Sequence, residues 1–155
     1  MGVPKGELVV GGQRLVDRAV RVLRAAGCEP VIAVVRVGVA VSGAEPVPNP
    51  DPERGMRSSL AIAVEAAADA TALVVLLADM PGVTEAGVRA VVAAWRPGRI
   101  TVARYGSSRG HPTVMEPARW RAAIAAAGAD EGARAYLAVP TDLDVPADLA
   151  AWREH

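Results

Sequence analysis

Phenylalanine is absent from the 155 residues, and tryptophan and tyrosine bring the aromatic share to only 3%. The core must therefore be assembled from small aliphatic side chains. A single cysteine, Cys28, excludes an intramolecular disulfide and any multi-cysteine metal centre. Its position after Gly27, between an expected helix and strand, suits buried packing, with a reactive thiol as the other reading. Lys plus Arg equals Asp plus Glu at 17 each, so the formal charge is zero. The basic excess that nucleic acid or an anionic membrane demands is missing, and neither partner is expected. No apolar run approaches a membrane span, and the amino terminus lacks a charged-then-apolar signal segment. A cytoplasmic location is the expectation. Histidine occurs twice, as His111 and the terminal His155, which carries no functional expectation.

What is present is globular: 52% hydrophobic and 22% charged residues, enough for one domain spanning 1–155 with a real core. The most informative stretch is Leu73-Val74-Val75-Leu76-Leu77-Ala78-Asp79-Met80-Pro81-Gly82. An apolar run without alternation suits a strand buried on both faces, as in a parallel sheet covered by helices. It ends in a carboxylate followed by turn residues. Ligands of open α/β sheets bind beyond the carboxyl ends of the strands, where Asp79 would hold a hard cation against phosphates. An Asp that merely starts the next turn is the alternative.

Around this strand, periodicity predicts helices over 14–26, 54–68, 84–95, 117–127 and 131–137, with a short one near the end. Thr84 is a natural cap for the third. Strands are predicted over 30–35, 73–78, 100–104 and 113–115. The four prolines of 43–52 read as loop or short extended edge, and Tyr105 to Pro112 as a polar loop. Helices alternating with buried strands imply a three-layer α/β domain with a mostly parallel sheet.

Several clusters carry chemistry. Gly110-His111-Pro112 presents a histidine between a glycine and a proline, where it could hydrogen-bond a phosphate or heterocycle or be an ordinary loop residue. Asp142, Asp144 and Asp148 form an acidic turn. Asp144 pairs in principle with Asp79, since magnesium takes one or two protein carboxylates and fills its shell with water and phosphate oxygens. Asn49-Pro50-Asp51, followed by Gly55-Met56-Arg57-Ser58-Ser59-Leu60, feeds a helix amino terminus whose N–H groups and hydroxyls suit an anion, or simply cap the helix. Lys5, beside Gly2-Val3-Pro4, reads locally as a solvated lysine.

Taken in order, Gly2-Val3-Pro4-Lys5, Leu15-Val16-Asp17-Arg18-Ala19, Asn49-Pro50-Asp51, Gly55 to Leu60, Asp79-Met80-Pro81-Gly82-Val83-Thr84, Arg109 to Pro112, Asp130 to Arg134 and Asp142 to Leu149 resemble the molybdenum-cofactor cytidylyltransferase branch of the MobA-like nucleotidyltransferases. The resemblance covers nearly the whole chain. It implies a three-layer α/β/α, Rossmann-like fold and transfer of a nucleoside monophosphate from CTP or GTP to molybdopterin or a related phosphorylated, pterin-type acceptor, with pyrophosphate released and Mg2+ as cofactor. Under it, Lys5 and Asp79 are catalytic, Asp79 and Asp144 hold the metal, and Gly2, Lys5, Asn49, Ser58 and Asp79 lie at the nucleotide. Gly110, His111 and Pro112 face the acceptor. A monomer or homodimer, working with a molybdoenzyme or maturation factor, fits the same picture.

This sequence departs from the family at two places. The family opens with a buried strand and a glycine-rich phosphate cradle, and this numbering begins at the last two residues of that loop, Met1 and Gly2. A start at an internal methionine of a longer protein is the expectation, with base choice residing in the earlier loop. The segment 137–141 is also shorter than usual, and Val145 stands where a threonine is common. The alternatives are a non-catalytic binding or dimerisation module in molybdoenzyme maturation, or transfer to a sugar phosphate or other small metabolite.

Overall fold

The structure, a computed structural model, describes residues 4–127 and the backbone of 143–146. The expected helix over 131–137, the terminal helix and Gly2 lie outside the described residues.

After a 3-10 turn at Lys5–Glu7, a hairpin joins β1 (Val9–Val10) to β2 (Gln13–Arg14). Its two-residue loop is Gly11-Gly12, with φ of 59° and 82°. Left-handed conformations at both central residues are what a tight hairpin turn requires and what glycine tolerates. α1 (Leu15–Ala25) follows. It ends because Gly27 takes φ 89°, letting Cys28 N–H reach back to the Leu23 carbonyl at 3.0 Å. This is the Schellman closure that satisfies carbonyls at a helix end.

β3 (Ile32–Arg36) pairs in parallel with β4 (Glu45–Asn49). The proline-rich segment is thus an extended edge, as prolines permit only where one side needs no donors. α2 (Met56–Ala66) leads to β5 (Leu73–Val75), then α3 (Glu85–Ala94), whose cap Thr84 accepts the Gly87 N–H at 3.0 Å. β6 (Thr101–Tyr105), β7 (Ser108–Met115), α4 (Pro117–Ala126) and β8 (Leu143–Pro146) complete the order.

The sheet is mixed and comes in two parts. β3 and β4 form one pair, while the other part has the order β5-β7-β6-β8. β7 runs antiparallel to both its neighbours, and β6 and β8 are parallel. Alternation along β6 and β7 sends Val102 and Met115 to one face and Ala103 and Val114 to the other. The first face packs on Leu60, Val64 and Trp120 of α2 and α4. The second meets Val91 of α3, and α1 covers Val31 and Ala33 at β3. These are the three layers the sequence pattern implies.

Two expectations change. The Tyr105–Pro112 loop is a hairpin instead, because β7 begins at Ser108 and pairs Arg104 with Arg109 and Ala103 with Gly110. Glycine and proline at the sheet's irregular part, where the register shifts after Val102, hid that strand from a propensity reading. The Leu73–Ala78 run is regular strand only to Val75 and half-buried throughout. It has a strand neighbour on the β7 side and an open cavity on the other.

Candidate active site

Asp79 follows the end of β5 in a tight turn in which Met80 N–H bonds to Leu77 O and Val83 N–H to Met80 O. The Pro81-Gly82 step bends the chain straight into the Thr84 cap. Arg18 of α1 donates from its guanidinium to the Val83 carbonyl at 3.2 Å, tying this turn to the first helix. Burial, then the neighbouring charge of Arg21, lowers the Arg18 pKa from its ordinary value.

Lys5 approaches from the amino-terminal 3-10 turn, with its Nζ 3.5 Å from Oδ2 of Asp79. The turn packs on the segment before Asp79, where a Cβ at Gly6 would make ordinary contact with Cβ of Ala78 at 3.5 Å. The two residues expected to be catalytic are thus adjacent, on the strand end that α/β sheets use for ligands.

Asn49, buried at the end of β4, holds a second network. Its Nδ2 donates to Ser58 Oγ at 3.1 Å and Ser59 Oγ at 2.9 Å, while Oδ1 accepts the Asp51 N–H at 3.0 Å. Ser58 Oγ in turn donates to the Gly55 carbonyl at 2.9 Å. Asn49 and Ser58 are therefore brought together, and both amide protons of Asn49 are spent on fixing the 49–59 loop to the start of α2.

His111 sits in β7, beside the carboxyl end of β5. Its Nδ1 lies 3.3 Å from the Val75 carbonyl, an arrangement that places the proton on Nδ1. Tyr105 donates its phenolic proton to the His111 carbonyl at 2.6 Å. Burial raises the Tyr105 pKa. Pro112 is fully buried, so any contact from this motif to a ligand falls to Gly110 and His111.

Gly110 and His111 share the wall of a cavity of about 1520 Å³ with Met56 and Ser59 of α2 and with Ala78. Cys28 also lines it, and burial pushes the thiol pKa up. A raised thiol pKa favours the packing reading of Cys28 over a reactive thiolate.

Asp144 lies in β8, where its backbone is in register with Val102 of β6. Among the described residues no three of His, Cys, Asp and Glu gather as a metal cage. One accessible carboxylate beside a lysine fits a magnesium ion that arrives with phosphates and keeps much of its water.

Sequence reasoning missed Arg18 and Tyr105. Each acts on a carbonyl distant in the chain or across a hairpin, and no local pattern announces such a bond.

The comparisons with known proteins agree with this architecture. The chain is 32% identical over 148 residues to the nicotine blue oxidoreductase of Paenarthrobacter nicotinovorans, covering 86% of this chain and 72% of that one. It is 37% identical over 109 residues to a probable molybdenum cofactor guanylyltransferase of Opitutus terrae, covering 68% of this chain and 54% of the relative. This second match spans only about half of the relative's length. A nucleotidyl transferase from Methanothermobacter thermautotroptrophicus superposes with a TM-score of 0.77 at 18% identity, covering 94% of this chain and 75% of that one. The family model of the MobA-like NTP transferase domain matches residues 1–145, and the chain belongs to that family.

Proposed function

We propose that this protein transfers a nucleoside monophosphate from a nucleoside triphosphate to a phosphorylated acceptor, using the carboxyl edge of β5 as its reaction centre. The observation that carries this reading is the Lys5–Asp79 pair, an ammonium 3.5 Å from a carboxylate at a ligand-binding strand end. In such a transfer an acceptor phosphate oxygen attacks the α-phosphorus, a new P–O bond forms, and the bond to pyrophosphate breaks. The chemistry needs charge neutralisation and alignment more than proton transfer.

Asp79 would hold Mg2+, which supplies charge neutralisation on the phosphates when bound. Lys5 offers a second positive charge to the triphosphate. The Asn49–Ser58–Ser59 network gives the neighbouring loop a fixed shape, and His111 with Gly110 presents a polar edge to the acceptor. The pterin-type acceptor is supported by family membership and by the guanylyltransferase relative. CTP and GTP are the candidate donors.

Calorimetric titration of the chain with CTP and with GTP, each with Mg2+, tests the reading. Saturable binding that needs Mg2+ and disappears in Asp79→Ala is the expected result. Absence of binding by either nucleotide favours instead the non-catalytic module in molybdoenzyme maturation.

A second reading comes from the relative at 32% identity, whose name makes it an oxidoreductase of nicotine blue. Incubation with nicotine blue and NADH or NADPH separates the two. Bleaching of the dye favours oxidoreduction, and an unchanged absorbance removes it.

A further inference from the structure

The β6–β7 hairpin sets two arginines opposite each other. Arg104 of β6 is in register with Arg109 of β7, and Tyr105 with Ser108 nearer the turn. Directly opposed residues of an antiparallel pair share a face, with Cβ atoms about 5 Å apart, and like charges at that spacing repel. The hairpin is held firmly all the same. Gly106 opens its turn with φ 62°, a conformation that tight hairpins favour. The Tyr105 hydroxyl ties the first strand to the His111 carbonyl of the second at 2.6 Å. The Tyr105 ring lies over Gly110, where a Cβ would meet Cε2 at 3.6 Å.

Val102, two residues before Arg104, belongs to the face packed on α2 and α4, and alternation sends Arg104 to the same side. There Arg104, Ser107 and Arg109 line the cavity of about 1520 Å³ together with His111 and Met56. Arg104 is half-buried, and its guanidinium donates to the Gly106 carbonyl at 2.8 Å. Among the described residues no carboxylate stands within ion-pair distance of it. The carbonyl satisfies one N–H of the guanidinium and none of its charge.

The hairpin also has a fixed relation to Asp79. β5 and β6 both run antiparallel to β7, so they end at the same edge of the sheet. Asp79 follows the end of β5, and Arg104 is the second-last residue of β6. The two strands are two spacings apart, roughly 10 Å. Nucleotidyl transfer brings two phosphate groups together at such an edge, the donor's triphosphate and the acceptor's monoester. Lys5 and Asp79 attend to the first. Guanidinium groups match the oxygens of the second in pairs, as an ammonium does not, and a dianion offsets the repulsion between two opposed arginines.

We propose that Arg104, with Arg109 across the hairpin, forms the subsite for the acceptor's phosphate monoester, separate from the triphosphate site at Lys5 and Asp79. The arginines hold two of its oxygens and leave the third to attack the α-phosphorus, where the new P–O bond forms as the bond to pyrophosphate breaks. The assignment to the acceptor rests on the nucleotidyl-transfer reading, whereas the selection of a phosphate dianion does not.

Phenyl phosphate is the probe, titrated by calorimetry into the unaltered chain, Arg104→Gln, Arg104→Lys and the exposed control Arg96→Ala. Saturable binding is expected in the unaltered chain and, undiminished, in Arg96→Ala. Arg104→Gln is expected to bind at least about ten-fold more weakly, as loss of a hydrogen bond to a charged group implies. Arg104→Lys keeps the charge without the fork and is expected to fall between. Without ligand, Arg104→Gln is expected to melt no lower than the unaltered chain, because it relieves a like-charge pair. Absence of saturable binding, equal affinity in Arg104→Gln, or an equal loss in Arg96→Ala overturns the subsite. A markedly lower melting temperature in both Arg104 variants does so too, by making Arg104 a structural residue. A second titration uses Mg-CTP and Mg-GTP, whose affinities are expected to be the same in Arg104→Gln and in the presence of saturating phenyl phosphate. A parallel loss of nucleotide affinity, or competition, overturns the assignment to the acceptor and gives the arginines to the donor. Binding of phenyl phosphate with no binding of either nucleotide sinks the nucleotidyl-transfer reading and supports the anion subsite.

Discussion

Lys5 Nζ stands 3.5 Å from Asp79 Oδ2, yet the lysine side chain is 79% exposed and that of the aspartate 37%. A pair so open to water contributes little to stability, typically less than about 1 kcal/mol. In the proposed reaction its role is to bind phosphate and metal. Asp79→Asn and Lys5→Ala are each expected to keep the melting temperature within a few degrees, about what 1 kcal/mol shifts in a domain of this size. Transition-state contacts of this kind are worth on the order of 100-fold in rate. The exchanged double variant, Lys5→Asp with Asp79→Lys, separates charge pairing from ligand holding. It restores the ion pair and is expected to remain unable to bind Mg-nucleotide. Recovery of binding in that variant would show that the pair acts only as a structural tie.

Arg18 holds the Asp79 turn from a distance, through the Val83 carbonyl. Removing it leaves Asp79 in the chain but releases one anchor of the segment that aims it. Arg18→Ala is expected to weaken Mg-nucleotide binding several-fold, with Arg18→Lys recovering part of the loss. Such a bond to a charged donor is worth about 1.5–3 kcal/mol when partly buried. Equal affinity in Arg18→Ala and the unaltered chain would remove Arg18 from the site.

The 49–59 loop depends on one buried amide. Asn49 is 4% exposed and makes three hydrogen bonds to Asp51, Ser58 and Ser59. Asn49→Ala strips partners from the Asp51 N–H and from both hydroxyls, and should cost about 2–3 kcal/mol. Asn49→Asp keeps the acceptor and loses both donors, so it should also destabilise. Urea unfolding measures both, and a loss below about 0.5 kcal/mol in the alanine variant would mean that the network is replaced by water.

How far the sequence foretold this arrangement depended on whether a feature was local. α1 was legible because its apolar face, Gly27 stop and length agree with one another, and Thr84 because capping is a property of four residues. Of β7, only the last three residues, 113–115, were legible, since Gly110 and Pro112 mask the remainder of a strand that depends on pairing with β6. The Lys5–Asp79 contact was implied by family resemblance alone, because nothing in a lysine after Gly-Val-Pro says which strand end it will meet. The order β5-β7-β6-β8, with β7 antiparallel to both neighbours, was not legible either. Strand order is a non-local quantity, and a single sequence with mixed strand directions does not reveal it.

Tyr105 makes the stability of the fold sensitive to alkaline pH. Its hydroxyl donates to the His111 carbonyl at 2.6 Å, and burial raises its pKa from the ordinary value of 10.0. The folded state therefore holds the phenolic proton more tightly than the unfolded chain does. That contribution is fully present below the unfolded value near 10 and is lost as pH rises through the folded value above it. Tyr105→Phe removes both the hydrogen bond and the titration. It should be less stable by about 1 kcal/mol near neutral pH. The gap between the two proteins should stay constant up to about pH 9 and narrow above pH 10, where only the tyrosine form pays for ionisation. The chain's other tyrosine, Tyr136, is common to both proteins and cancels from the difference. Urea midpoints for the two proteins at intervals from pH 8 to 11 provide the measurement. A gap that stays constant across that range would mean that the Tyr105 hydroxyl titrates as freely in the folded protein as in the unfolded chain.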